Sequence, residues 1–203
     1  MYSVEAAIAT LQAGKPIIIT DDKDRENEGD LVYPADLVDA KAIAFMLQHC
    51  SGIICLTLPA ERLDALHLPL MVNSEENTSR LGTGFTVSIE AAEGVSTGVS
   101  AADRAKTIQT AIAPDAKPSD LAKPGHVFPL RAHPDGLAAR QGHTEASIAA
   151  VTLAGFSSAA VLCELMNPDG TMAREEEIES FARQHGLSII STGALHQHTI
   201  ENT

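Results

Sequence analysis

The sequence predicts an α+β fold, an α/β layered domain in which helices flank a mixed β-sheet. Three observations predict it. Short aliphatic runs such as Ile17-Ile18-Ile19 and residues 53–58 have almost no polar relief, the pattern of strands buried on both faces. Segments of helical period lie between such runs in mixed order, not in a separate block. The apolar fraction is 44% with no Trp and five Phe, so the core must be built from Ile, Leu, Val and Ala. Abundant Gly and Ala beside those runs suit close helix-on-sheet packing. At 203 residues, with no internal repeat, low-complexity stretch or linker, the chain reads as a single domain over 1–203.

Taken in order, Ser3 caps a first helix over 4–12, with Ile8 and Leu11 inward and Gly14 as its stop. Residues 17–20 are a buried strand. A charged stretch follows, then a strand at 31–33 ended by Pro34. Residues 39–48 form a helix with Ile43, Phe45, Met46 and Leu47 on its apolar side. A strand at 53–58 and a short helix at 59–66, opened by Pro59, come next. Residues 71–84 are rich in Asn, Ser, Thr and Glu and read as a long polar loop or lid. Residues 85–90 alternate as a half-buried strand does. Ser100 and Asp103 resemble a capping box for a helix to about 112. Three prolines make 113–125 a loop, before a short strand at 127–131 and a turn-rich piece at 136–142. A helix over 144–153, a strand over 159–166 and the turn Asn167-Pro168-Asp169-Gly170 follow. A helix over 174–185, capped by Gly186, leads to a last strand at 187–190. Residues 194–203 show little pattern.

The formal net charge of −13 disfavours nonspecific binding to nucleic acid or to an anionic membrane. It leaves room for a phosphorylated metabolite, because a few placed arginines prevail at short range. Three scattered cysteines make neither a disulfide scaffold nor a zinc knuckle, so a reducing cytoplasm is expected. No apolar run approaches the roughly 18 residues that span a bilayer. The first five residues show no signal peptide. Glycine motifs of P-loops and dinucleotide-binding crossovers are absent.

The chemistry gathers in a few places. Residues 21–30 hold six acids and two bases between two apolar runs, which composition alone reads equally well as a solvated turn. If extended from Arg25, this stretch would put Glu26, Glu28 and Asp30 on one face, a set that needs a metal or basic groups among it. His143 lies in Arg140-Gln141-Gly142-His143-Thr144-Glu145 at the start of a helix. Free N–H groups there bind phosphate or carboxylate, and a histidine can ligate a metal or move a proton; the plain alternative is a surface histidine in a cap. His126 sits between Gly125 and Val127-Phe128-Pro129 and serves either a site or a loop hydrogen bond. Glu164 interrupts an apolar strand, which costs several kcal/mol unless the carboxylate is paired, used or on a solvated face. Cys55 and Cys163 read as small buried apolar residues. Zinc spacings are missing, and an oxygen-rich donor set favours magnesium or manganese. These tools suit acid–base chemistry next to a carbonyl on a phosphorylated, hydroxyl-rich substrate. A sugar-phosphate isomerase or aldolase, and a regulatory domain that binds a phosphate ligand without turnover, stay open on the residues alone.

The order of these blocks resembles one family, 3,4-dihydroxy-2-butanone 4-phosphate synthase of riboflavin biosynthesis. The acidic stretch from Asp22 to Asp30, Ser100-Ala101-Ala102-Asp103-Arg104, Pro124-Gly125-His126-Val127-Phe128-Pro129-Leu130, Gly142-His143-Thr144-Glu145 and Cys163-Glu164-Leu165 match in register. The resemblance covers roughly residues 3–190 and implies a lyase that converts D-ribulose 5-phosphate to L-3,4-dihydroxy-2-butanone 4-phosphate and formate. It implies a magnesium- or manganese-dependent homodimer with two active sites near the subunit interface. Carried over, Glu26 and His143 match the metal ligands. Arg25, Glu26, Asp30, Arg140, Gln141, Gly142, His143, Thr144 and Glu164 match the substrate site, and His126 and Glu164 match positions essential to turnover. Glu28 belongs to the same cluster and Cys55 falls near the pocket. The implied chemistry runs from loss of the C3 proton through an enediol and dehydration at C1 to skeletal rearrangement and release of C4 as formate. Arg25 would curl back toward phosphate, so residues 22–29 are expected to be an irregular, mobile loop ordered by metal and substrate. Gln141 departs from the glycine of many relatives, and the tail from Ser191 departs from the expected helical ending. The fused relatives' GTP cyclohydrolase II domain is not seen, so a monofunctional enzyme is expected.

Overall fold

The structure, a computed structural model, describes residues 3–202; Met1, Tyr2 and Thr203 lie outside the described residues. Its centre is one mixed sheet of β1 (Ile17–Thr20), β2 (Gly29–Pro34), β3 (Cys55–Leu58), β4 (Ile89–Ala91), β5 (Leu121–Arg131), β6 (Ala160–Glu164) and β7 (Ser188–Ser191), in the order β4-β5-β3-β6-β2-β1-β7. β1–β7 and β3–β5 are parallel; β1–β2, β2–β6, β3–β6 and β4–β5 are antiparallel.

Helices α1 (Val4–Gln12), α2 (Ala40–His49), α3 (Ala60–Ala65), α4 (Ala101–Ile112), α5 (Gly136–Ala139), α6 (His143–Leu153), α7 (Glu175–His185) and α8 (Thr192–Glu201) cover both faces. Side-chain alternation along each strand sorts the core into two layers. Ile18, Leu31, Val161 and Ile189 pack on one side with Ile43, Met46, Ile108 and Ile178, from α2, α4 and α7. Ile17, Ile19, Val32, Leu162 and Ile190 pack on the other with Leu11, Val151 and Leu195, from α1, α6 and α8. Burial on both faces is why these strands carry almost no polar residues.

The caps of α1, α2 and α7 follow local chemistry. Ser3 Oγ accepts from Ala6 N–H, Asp39 Oδ1 accepts from Ala42 N–H, and Gly186 ends α7 at φ 63°. Five expectations need correction. Residues 121–125 are strand, because β5 continues back to Leu121 and pairs with Ala91 of β4; edge pairing tolerates the proline. Residues 85–88 are not a ladder strand: Phe85 and Thr86 make isolated bridges to Leu130 and Leu70, and the ladder with β5 takes in Ile89–Ala91, with a register shift between Ile89 and Glu90. The piece at 136–142 contains the one-turn α5. Ser100 Oγ does accept from Asp103 N–H, but the Asp103 carboxylate turns mainly to Ser96 and Gly98, and no bond from the Ser100 N–H completes the box. The tail is helical as α8, capped by Ser191 Oγ. Its narrow apolar face, essentially Leu195 with Thr192, leaves too weak a period to read, and packing against α6 and α1 supplies the stability.

Candidate active site

The two-layer alternation builds the site. Asp30 shares the face of Val32, and Glu164 the face of Leu162, so both point to the α6 side. Register then sets Asp30 directly opposite Glu164 at the ends of β2 and β6. Cys55 opens β3 on the same face. α6 starts at His143 above this edge, and its N-terminus closes the group. A cavity of about 110 Å³ results, lined by Arg25, Glu26, Glu28, Asp30, Cys55, Thr83, Phe85, Leu130, Arg140, His143, Thr144, Leu162 and Glu164. A larger cavity of about 610 Å³ lies at α2 and α7, among His49, Phe181 and His185, and touches none of these acids except through the neighbouring Cys50 and Leu165.

The acidic stretch is a folded, hydrogen-bonded loop, the irregular course expected for residues 22–29. β2 begins only at Gly29, and Asn27 takes φ 55°. The buried Asp21 carboxylate organises it, accepting from Glu26 N–H at 2.9 Å, Glu28 N–H at 3.0 Å and Arg25 Nη1 at 2.8 Å. From the other side, Arg174 at the N-cap of α7 donates to the carbonyls of Glu26 and Asn27 and to Glu28 Oε1. Arg25 bonds the Asp21 and Glu26 carboxylates.

Glu26 Oε2 lies 3.2 Å from His143 Nδ1, and Asp30 Oδ2 lies 3.8 Å from the same nitrogen. The hydrogen bond from His143, with help from Arg25, holds Glu26 down to about 2. Burial pushes Asp30 up to about 8, against the pull of His143. Burial alone would lower His143, but Asp30, the Glu26 hydrogen bond and Asp21 together raise it to about 9. Burial also lifts the Cys55 thiol well up, which suits a packing residue and not a thiolate nucleophile.

These groups fit a divalent cation. Oxygen or nitrogen atoms of Asp21, Glu26 and His143 lie within 4.8 Å of one another. His143 Nε2 and Asp30 Oδ1 are buried without a hydrogen-bond partner, a costly state that a ligand would relieve. Asp21 is a poorer ligand than its position suggests, because both its oxygens already accept from the loop. Glu26 and His143 are the better pair.

Beside them two guanidiniums meet a helix N-terminus, a combination that suits an anion. Gly142 is the N-cap of α6, and a Cβ there would lie 2.4 Å from Arg140 Nη1 and 3.0 Å from Arg25 Nη2. Glycine therefore lets two guanidiniums approach one helix N-terminus. Arg140 is aimed by Glu145 at 2.7 Å and by Thr83 at 3.3 Å, and Arg80 of the 71–84 loop reaches the Arg25 carbonyl. Gln141 is exposed and does not line the cavity.

A sequence profile of 3,4-dihydroxy-2-butanone 4-phosphate synthase matches residues 5–198. The chain belongs to this family. The 3,4-dihydroxy-2-butanone 4-phosphate synthase of Cronobacter sakazakii is 57% identical over 188 residues, 93% of this chain and 86% of that one. The synthase of Escherichia coli is 56% identical over the same shares. A crystal structure of a 3,4-dihydroxy-2-butanone 4-phosphate synthase with two magnesium ions superimposes with a TM-score of 0.94 at 38% identity, covering 99% of this chain and 98% of that one. Within the synthase fold, the structure brings Arg25, Glu26, Asp30, Arg140, His143, Thr144 and Glu164 to one cavity and Gly142 to its rim. It does not bring His126. That ring lies on β5, 46% exposed, bonded through Nδ1 to Glu90 and outside the cavity. The family pattern pointed to neither Arg174 nor Asp21. Arg174 acts 148 residues from Glu26, a distance no local pattern reveals. Asp21 was hidden among the other acids of its stretch.

Among the described residues, no helix is long and apolar enough to cross a membrane.

Proposed function

We propose that this chain is a lyase that converts D-ribulose 5-phosphate to L-3,4-dihydroxy-2-butanone 4-phosphate and formate in riboflavin biosynthesis, with one domain over 1–203 performing it. The observation that carries the reading is the cavity itself. Two guanidiniums at a helix N-terminus stand beside a cation pair, Glu26 and His143, and a register-paired Asp30 and Glu164. Arg25, Arg140 and the N–H groups leading into Thr144 would hold the phosphate, with Gln141 at the rim. Glu26 and His143 would hold Mg2+ or Mn2+. Such a cation polarises hydroxyl and carbonyl oxygens and makes the adjoining C–H more acidic. Asp30 would meet sugar hydroxyls, and Glu164 would move the proton. Asp21 and Arg174 would keep the loop of Glu26 in place.

The homodimer that the resemblance implies would give His126 its task, since an exposed ring bonded to Glu90 and outside the lining of its own chain's cavity can serve a second copy's. A cytoplasmic setting agrees with three free cysteines.

One assay decides the activity. Purified protein with ribulose 5-phosphate and Mg2+ should release formate and a four-carbon phosphate in equal amounts, and chelation should stop it. Ketose–aldose interconversion without formate would point to an isomerase. Binding without consumption would point to a regulatory domain.

The cation should also be linked to protons. His143 must be neutral to ligate, yet the metal-free site holds it protonated to about 9. Mg2+ binding should therefore expel about one proton, and affinity should rise by up to about tenfold per pH unit below that value. Titration calorimetry at pH 7.5 in buffers of different ionisation enthalpy measures this, and a heat independent of buffer would exclude the linkage. Without metal, folding shows the same shifts. Glu26 adds stability above the usual 4.5 that is lost as pH falls toward about 2. His143 adds stability below 6.5 that is lost as pH rises through about 9.

A further inference from the structure

We propose that Ser51 is a positioning residue that fixes the Glu164 carboxylate for turnover. The proposal rests on the catalytic reading of Glu164 given above. Ser51 lies where the chain leaves α2. There Cys50 bridges Leu165, and Ser51 N–H donates to the Glu164 carbonyl at 2.8 Å. The segment after α2 is thus laid along the end of β6, and the Ser51 hydroxyl comes to the carboxylate.

The direction of that contact follows from counting protons. A hydroxyl has one proton and two lone pairs. Ile53 N–H occupies a lone pair of Ser51 Oγ at 3.2 Å. Cys163 Sγ lies 3.3 Å away, and as a thiol it can use the second lone pair. Glu164 Oε2 lies 2.6 Å away, at the short end of O–H···O distances. The hydroxyl proton therefore goes to Glu164. Among the described residues, this is the hydrogen bond that holds the Glu164 side chain, and no cation pairs with it.

The other acids around the cavity are held differently. Glu26 has Arg25 and His143, Glu28 has Arg174, and Asp30 has His143 at 3.8 Å. A guanidinium on Glu164 would fix the carboxylate but also bind its charged form tightly, and so oppose proton exchange. A neutral hydroxyl, itself anchored by a backbone amide, orients one oxygen and leaves Oε1 for the substrate. That is the arrangement a proton-transfer group needs.

The test uses the full chain with Mg2+ and ribulose 5-phosphate and follows formate. Ser51→Ala should lower kcat by about 10- to 100-fold with KM within about threefold. Ser51→Thr, which keeps the hydroxyl, should recover kcat to within about threefold of the native value. Ser51→Cys, close in size with a weak donor, should fall between them. In a Glu164→Gln background, Ser51→Ala should cause no further loss. Circular dichroism and melting curves check the fold; if Ser51→Ala does not fold, the Cys and Thr variants carry the comparison. Native kcat in the folded Ala or Cys variant would overturn the role of Ser51 while leaving that of Glu164. The same fold loss in both backgrounds would make Ser51 merely structural, and overturn it too. Full turnover in Glu164→Gln alone would overturn the catalytic reading, and the Ser51 role with it.

Discussion

Glu26→Gln should lower formate release by about a thousandfold and weaken Mg2+ binding in step. Gln keeps the length and one acceptor for His143 but removes the charge. That charge is what Arg25 and His143 are gathered around, at 2.5 Å and 3.2 Å. The backbone bonds that shape the loop survive the change, because Asp21 accepts from Glu26 N–H and Arg174 donates to the Glu26 carbonyl. The loss should therefore be one of chemistry and metal affinity on a kept fold: the circular dichroism spectrum should stay near native, while the melting temperature falls because the charge that His143 and Arg25 stabilise is gone. His143→Ala should behave alike. Calorimetric Mg2+ titrations and single-turnover formate measurements report the two halves separately. A Gln variant that keeps Mg2+-dependent turnover within tenfold of native would remove Glu26 from the metal site.

The contrast between legible and hidden parts of this molecule is a contrast of range. The strand Ile17–Thr20 and the helix Val4–Gln12 match their expected bounds because their causes are local: three isoleucines in a row, and a serine cap four residues before Ala7. Glu164 was conspicuous for the same reason, as one acid in an apolar strand. Residues 22–29 take the irregular course expected of them, but the groups that hold the loop were hidden, one among the neighbouring acids and one far along the chain. Asp21 and Arg174 turn that stretch into a bracketed loop, and alternation within it carries no trace of either. Prolines argued for a loop at 121–125, but an edge strand needs only half its hydrogen bonds, and β4 supplied the partner. Ser51 was passed over because its neighbour Glu164 is 113 positions along the chain.

The site residues divide in the same way. Sequence blocks in register named Glu26, Asp30, His143 and Glu164, and sheet alternation explains why they converge: Asp30 and Glu164 share the face on which α6 begins. Blocks in register could not say that His126 stands apart. Its exposure and its bond to Glu90 keep the ring at the surface, outside the cavity. What the cavity gathers is therefore the Glu26–His143 pair, the Arg25–Arg140 corner and the register-paired Asp30 and Glu164, and His126 lies outside it.

Gly125→Ala should lower stability by about 3 kcal/mol, and the melting temperature by roughly 10 °C for a chain of this size. Its Cβ would lie 2.0 Å from Ile89 C, 2.1 Å from Ile89 O and 2.4 Å from Glu90 Cγ. Two of these are backbone atoms of the paired strand, so no rotamer change relieves the clash and β4 must move from β5. Position 125 has no unusual φ, so the effect is one of space alone. Moving β4 also takes Glu90 from His126. Folded Gly125→Ala protein should thus lose turnover as well as stability, though His126 itself is unchanged. Gly193→Ala is the internal control. It lies in α8, where the nearest atom to a new Cβ is Ser191 Oγ at 4.0 Å. Alanine there should stabilise by about 0.5 kcal/mol through helix propensity and leave turnover native. Equal melting temperatures for the two variants would mean that β4 yields at little cost and that the β4–β5 edge does not hold His126 in place.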